Sequence, residues 1–379
     1  ATFMMTALCR RHVGCFHLDR KVENVMVMFH FYVSQKGRHA GHGNLGKGDS
    51  NMRSMLFRGV GIVFIAVIGA GLPAVEARAA AYSGGAGTET TPYQIGSAAD
   101  WITLSATTAD WDKHFIVTAD IDFAGALLTP VGNFPSYFDG RIDGYGHVLR
   151  NGQIEAPDIL DVGLIGYLGP GGELRNLGVE FISVEGKQYA GILAGVNGGT
   201  ITSCYAKGIV QGDYGIGGLV GLNYNGTVTS CYALCTVNGG TESVYIGGLV
   251  GLNQNGTITT CYAAGPVTGS AYVGGFAGSN GGGTVQSCYW DKEVSGQLTS
   301  DGGSGRTTDA MTYPYAPGTY ADWDFITVWA ADVSGIVNGG YPYLRATIAH
   351  PADSNRNLHM VMGEAIAYLA GWQQGNNPM

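Results

Sequence analysis

Residues 217–239 read GGLVGLNYNGTVTSCYALCTVNG, and residues 247–269 repeat them as GGLVGLNQNGTITTCYAAGPVTG. A looser copy, AGILAGVNGGTITSCYAKGIVQG, precedes them at 190–212, and a shortened one, GGFAGSNGGGTVQSCYWD, follows at 274–291. The Cys-Tyr pair recurs at Cys204, Cys231, Cys261 and Cys288, in steps of 27, 30 and 27 residues. A period of that size, with no helix-forming run inside it and Gly or Asn at every break, describes a solenoid whose units cannot bury a core singly.

Three extended pieces stand out in the second copy, at 218–222, 227–233 and 235–238, and Asn225-Gly226 supplies the positive-φ residues that a tight corner requires. Three strands per turn, each stacked about 4.8 Å from its equivalent in the next turn, make an all-β, single-stranded, right-handed parallel β-helix, or β-solenoid. The spacing also constrains the cross-section. Ile201, Val228, Ile258 and Val285 stand three residues before the cysteines, and an odd spacing places two side chains on opposite faces of a flat strand. Both point inward only if the chain bends between them. A bend is therefore expected at Ser203, Ser230, Thr260 and Ser287, with Tyr205, Tyr232, Tyr262 and Tyr289 forming an outward ladder. The alternative is a straight strand with the tyrosines inside.

Gly218-Leu219-Val220-Gly221 and Gly248-Leu249-Val250-Gly251, each followed by Asn, a Thr-Val or Thr-Ile strand and Cys-Tyr-Ala, resemble the GLUG motif of bacterial surface and secreted proteins. Gly163-Leu164-Ile165-Gly166 is a further copy without the Cys-Tyr, and 191–194 and 275–278 are looser ones. The resemblance covers a little over a third of the chain and implies the β-helix architecture. Such repeats accompany adhesins, cell-surface proteins and some IgA-cleaving zinc peptidases. The chain contains no HExxH zinc-peptidase motif, so the peptidase association does not transfer.

Composition agrees with this reading. Among 379 residues, 63 are Gly and only 13% are charged, which fits a turn-rich all-β solenoid, and the absence of a three-residue Gly period excludes collagen. The net charge of −9 is unevenly spread: residues 1–79 hold ten of 20 Lys/Arg and four of 29 Asp/Glu, so the remainder carries 10 − 25 = −15. That balance excludes nucleic-acid binding by counterion release and leaves a cation or a basic partner open. Of seven cysteines, Cys9 and Cys15 lie near the amino terminus and five lie in the repeats. A spacing of 27 to 30 residues is not that of a zinc site, and it suggests a stacked row of buried free thiols in preference to disulfides.

The flanks divide the chain further. Residues 1–51, with five of the nine histidines, read as an upstream or disordered extension. Residues 52–79 read as a secretory signal peptide: Arg53 and Arg58, an apolar run at 59–75, then Ala77-Arg78-Ala79, with an uncleaved anchor as the alternative. Cleavage there would leave no membrane span.

Residues 80–156 read as an amino-terminal cap and first turns. Ser97 to Asp100 forms a capping box ahead of a short amphipathic helix carrying Trp101, Ile102 and Leu104. A strand follows at 114–123, and 137–154 reads as strand, Gly turn, strand. GTETTPYQIGSAADWITLS, FIVTADIDF and FDGRIDGYGHVL together resemble the module that opens bacterial β-helices, which would cover the first strand edge. Residues 157–290 hold the repeat array. Residues 291–348, with Trp323 and Trp329, read as a carboxy-terminal cap whose aromatics plug the open end or offer a sugar-stacking platform.

The tail, 349–379, is expected to carry a short helix. Asp353, Asn355, Asn357, His359 and Glu364 fall at positions 1, 3, 5, 7 and 12 of an EF-hand-like calcium loop. The tail resembles half of a dockerin, which implies calcium and a cohesin-like receptor. It departs from that pattern at Leu358, where a turn Gly belongs, and in having one loop with only two carboxylates. A polar turn capping a terminal helix is the alternative.

Chemistry on sugars needs paired carboxylates or a base beside Arg or Lys. Between Lys187 and Tyr289 the only acids are Asp213 and Glu242, and the only bases Lys187 and Lys207. Asp139, Arg141, Asp143, His147 and Arg150 form the densest ionisable cluster elsewhere and alternate as a polar outer face would. These residues point to a secreted or cell-surface, non-catalytic scaffold for adhesion, with an extracellular glycan or protein as ligand. The alternative is a carbohydrate-active β-helix enzyme, a lyase or glycosidase, or a sugar-binding module. A groove holding two acids and aromatic rings would favour that alternative.

Overall fold

A computed structural model describes residues 82–157 and 159–345. The extension at 1–51, the signal-peptide stretch at 52–79, Cys9, Cys15 and the calcium-loop residues Asp353, Asn355, Asn357, His359 and Glu364 lie outside the described residues.

The repeats stack as a parallel β-solenoid with three sheets. The first has eight strands, from Tyr93–Ile95 to Thr284–Gln286; the second has twelve and ends on Ser304–Arg306; the third has five, from Ile165–Leu168 to Ala277–Gly281. Equivalent residues pair from turn to turn: Ile201 with Val228, Val228 with Ile258, Ile258 with Val285. The strand expected over 227–233 is divided: Thr227–Thr229 lies in the first sheet and Tyr232–Gly247 in the second.

The bend between them is where the odd spacing demanded it, with Ser203, Ser230, Thr260 and Ser287 at φ 52°, 53°, 51° and 50°. Left-handed backbone on a non-Gly residue costs about 1–2 kcal/mol. In return Ile201, Val228 and Ile258 enter the core together with the Cys of each turn, while Val285 in the last turn packs half-buried against it. The five described cysteines are free and buried. The Cys204 amide donates to Cys231 Sγ at 3.4 Å and the Cys231 amide to Cys261 Sγ at 3.3 Å, so the thiols form a continuous row. Burial pushes the Cys235 thiol up to about 12.

A second buried row runs along the third sheet. Asn197, Asn223 and Asn253 are fully buried. The Asn197 amide donates to Asn223 Oδ1 (2.8 Å), Asn223 to Asn253 (2.8 Å) and Asn253 to Asn280 (2.7 Å). The 30-residue step comes from one corner. Gly212 pairs with Gly239 and Tyr214 with Val244, so four residues, 240–243, occupy the place that Asp213 fills alone one turn earlier.

Both ends are closed. Ser97 Oγ accepts from the Asp100 amide (3.3 Å), starting the helix Ala98–Ala106, which buries Trp101 and Leu104. At the far end Trp290 and Phe276 fill the last turn, and a side chain at Gly275 would collide with the Trp290 ring. Ser300 Oγ accepts from the amides of Phe276 and Ala277 (3.1 and 2.9 Å), occupying the final strand edge.

Two expectations change. The tyrosine ladder points away from the solenoid core, with Tyr205–Tyr232 and Tyr232–Tyr262 stacked at 4.8 and 5.0 Å, yet it is buried. Trp323, Trp329, Tyr320 and Tyr341 do not plug the open end; they lie against this ladder and form a second hydrophobic cluster with it. Tyr262 Oη donates to the Pro342 carbonyl (2.8 Å), and Trp323 Nε1 to the Ser287 carbonyl (2.9 Å). These eight buried aromatic rings gain more by covering one another than by facing water.

Candidate functional site

A different row of tyrosines reaches the surface. Val162, Ala190, Ile216, Ile246 and Val273 pair in series across five turns, and the first four are fully buried. The residue preceding each therefore forms a column at the corner: Asp161, Tyr189, Gly215, Tyr245 and Tyr272. The last four are left-handed, with φ of 43°, 67°, 63° and 52°. At the glycine, the preceding Tyr214 supplies the ring instead. A Cβ on Gly215 would sit 2.8 Å from the Tyr189 ring, so the glycine leaves that slot open.

Ring centroids then run 5.7 Å from Tyr189 to Tyr214, 5.3 Å on to Tyr245 and 5.0 Å on to Tyr272. Tyr272 is 65% exposed and the other three are partly so. Burial raises the pKa values of Tyr189 and Tyr214, so these phenols stay neutral and can donate hydrogen bonds.

Beside this row lies a shallow groove of about 380 Å³ whose side chains include Glu185, Lys187, Gln211, Asp213 and Asn238, with glycines between them. Glu155 pairs with Glu185 and Glu185 with Gln211, so the three follow one another in register from turn to turn. Of the two acids singled out in the sequence, Asp213 lines the groove, while Glu242 sits in the inserted corner and does not. Glu185 was missed because its turn precedes the Cys-Tyr copies. The groove has two acids but no aromatic lining; the rings stand at the adjoining corner, where Asp213 is followed by Tyr214.

The cluster at 139–150 is spent on pairing between turns. Arg141 bridges to Glu173 (2.8 Å), Arg175 to Asp143 (2.6 Å), and His147 and Arg150 approach Asp120 at 3.0 and 3.9 Å. Asp139 accepts from the Gly171 amide (3.2 Å). Lys207 pairs with Glu180 (3.2 Å).

Asp161, at the head of the tyrosine column, differs from these. It is 9% exposed, no hydrogen bond or ion pair holds its carboxylate among the described residues, and burial alone raises its pKa to about 6. Asp161 also adds to the upward shifts of Tyr167 and Tyr189, which places both phenols in its electrostatic neighbourhood. Among the described residues no group of three or more His, Cys, Asp or Glu is placed to hold a metal, and no helix is long and apolar enough to cross a membrane.

Known proteins match this geometry. The GLUG motif family matches residues 212–238 and 242–268, so the chain carries GLUG repeats on a β-helix. It is 34% identical over 146 residues to halomucin from Haloquadratum walsbyi, a match covering 36% of this chain and 2% of that protein. A candidate Gly-rich membrane protein from Evansella cellulosilytica is 34% identical over 135 residues, 33% of this chain and 16% of that one. The chain thus spans a small part of either relative. A crystal structure from Bacteroides ovatus, described as a candidate immunoglobulin A1 protease, superimposes with a TM-score of 0.52 at 21% identity, covering 70% of this chain and 96% of that one; the likeness is one of fold.

Proposed function

We propose that this protein is a non-catalytic secreted or cell-surface scaffold whose solenoid presents a binding face to an extracellular glycan or protein. The observation that carries the reading is the tyrosine row Tyr189–Tyr214–Tyr245–Tyr272, held at one corner of successive turns and open to solvent at its end. Rings repeated at about one strand spacing suit a ligand that itself repeats, and aromatic faces bind apolar faces such as those of pyranose rings. The names of the two relatives, a halomucin and a Gly-rich membrane protein, fit a surface location.

A glycan array probed with the full chain, followed by titration of any hit, tests this. Tyr272→Ala and Tyr245→Ala should each weaken binding at least tenfold, and undiminished binding by the double variant would refute the reading. The loop Asp353, Asn355, Asn357, His359 and Glu364 would add calcium-dependent docking to a cohesin-like receptor. Calcium calorimetry on the full chain should then give a single site that Glu364→Gln abolishes; identical isotherms would end that proposal.

The groove with Glu185, Asp213 and Lys187 favours a second reading, a carbohydrate-active enzyme. Release of reducing ends or unsaturated sugars from a polysaccharide panel, lost in Asp213→Asn, would support it over the first.

A further inference from the structure

We propose that Asp161, at the head of the tyrosine column, anchors a protonated amine on an amino-sugar polymer that lies along the tyrosine row. The inference rests on reading that row as a glycan-binding face and names the chemistry of the glycan.

Every other buried carboxylate among the described residues is held within the chain. Asp100 accepts from Ser83, Ser97 and the Gly96 amide. Asp143 pairs with Arg175, and Asp110 accepts from Tyr82. Asp291 accepts from Tyr341 and Asp332 from the amides of Asn338 and Gly340. Asp161 alone has no such donor, although it is nine-tenths buried. A buried carboxylate is costly unless something compensates it. The 9% of its surface that stays exposed is the opening through which a partner can arrive.

The site is rigid and apolar-rimmed. The Val162 amide donates to the Tyr189 carbonyl and the Gly191 amide to the Val162 carbonyl, both at 3.0 Å, locking Asp161 beside the first ring of the row. Tyr137 packs against Tyr167 at 4.4 Å with the rings tilted, and Ile159 and Leu160, just before Asp161 in the chain, are exposed. A carboxylate at the end of a row of aromatic rings suits an ammonium group, which can gain charge pairing from the one and cation–π attraction from the other. Net charge supports a cationic ligand: the chain after residue 79 carries 10 basic and 25 acidic residues. A lone lysine side chain would need one such cage. A row that continues for three more turns fits a repeating polymer better.

The test is calorimetric titration of the full chain at pH 7 with a glucosamine oligomer, its fully N-acetylated counterpart and a lysine-rich peptide. The free-amine oligomer should bind at least tenfold more tightly than the acetylated one. Asp161→Asn should abolish that preference and leave the acetylated oligomer's affinity unchanged, while Glu155→Gln should alter neither. The preference should also fade below about pH 6, where the free carboxyl takes up its proton. Equal binding of the two oligomers, or a preference that survives Asp161→Asn, overturns the amine site. If the acetylated oligomer still binds and still loses affinity in Tyr272→Ala, the tyrosine-row reading stands without it. If neither oligomer binds, both fail. Tighter binding of the peptide, lost in Asp161→Asn, replaces the glycan with a protein partner.

Discussion

Asn223→Ala breaks the buried amide row at its middle, and its cost can be worked from the bonds it removes. Asn223 Oδ1 accepts from Asn197 (2.8 Å), and its Nδ2 donates to Asn253 (2.8 Å) and to the Gly226 carbonyl (3.2 Å). After truncation the Asn197 amide keeps only a 3.4 Å contact to the Thr227 carbonyl. Asn253 Oδ1 loses its donor, and Asn197 and Asn253 are fully buried, so water does not replace what is lost. Each orphaned buried group costs about 1–3 kcal/mol, giving about 3–5 kcal/mol in total. Asn280→Ala at the end of the row is the internal comparison. It removes one bond from Asn253 and one to Gly283, at a half-buried position that water reaches, and should cost about 1 kcal/mol. Urea unfolding of the full chain, followed by circular dichroism, reads both. Equal losses at the two positions, or less than 1 kcal/mol at Asn223, would refute the argument that burial of a continuous row sets the energy.

Three further outcomes follow from named contacts. Trp329→Ala removes a fully buried ring that stacks on Trp323 at 4.3 Å and covers Tyr232 and Tyr262, so it should destabilise the outer cluster by about 3–5 kcal/mol while leaving the solenoid folded. Hydrogen exchange should show lost protection at 307–345 and retained protection at 190–290; uniform loss would contradict a separate second cluster. Asp161 titrates at about 6 in the folded protein, above the ordinary carboxylate value, so the folded state holds its proton longer than the unfolded one and stability must fall as pH rises between about 4 and 6. Asp161→Asn should therefore stabilise the protein by about 1–2 kcal/mol at pH 7 and flatten that slope; a destabilised variant would show a hidden partner. Arg175→Gln loses the 2.6 Å bridge to Asp143 at a partly exposed face, so the cost should be about 1 kcal/mol and shrink in 1 M salt.

Repetition made the solenoid legible in the residues alone. Each turn meets only its neighbours, so a periodic text fixes a periodic contact, and the three-residue offset between Val228 and Cys231 was enough to locate the bend at Ser230. The helix at Ala98–Ala106 was equally local, since Ser97 and Asp100 cap each other within one turn. The asparagine row could have been found as well: Asn197, Asn223, Asn253 and Asn280 recur in steps of 26, 30 and 27 residues, close to those of the cysteines, but Asn197 and Asn280 each precede Gly and read first as corners.

What the sequence left open depended on residues far apart along the chain. Nothing near Tyr262 says that Pro342, 80 residues later, will lie over it, so an outward ladder became a covered one. The surface row escaped notice because its members do not share a period: Tyr189, Tyr214 and Tyr245 meet only after the four-residue corner at 240–243 shifts the register and Gly215 yields its slot to a neighbour. Asp161 likewise joins that column through the stacking of Val162 on Ala190, not through any motif of its own. Local period determines where a chain turns, because the energies involved act over a few bonds. Which side chains end up buried together, or stranded without a partner, is decided by closure of the whole solenoid and by the segment that folds back across it.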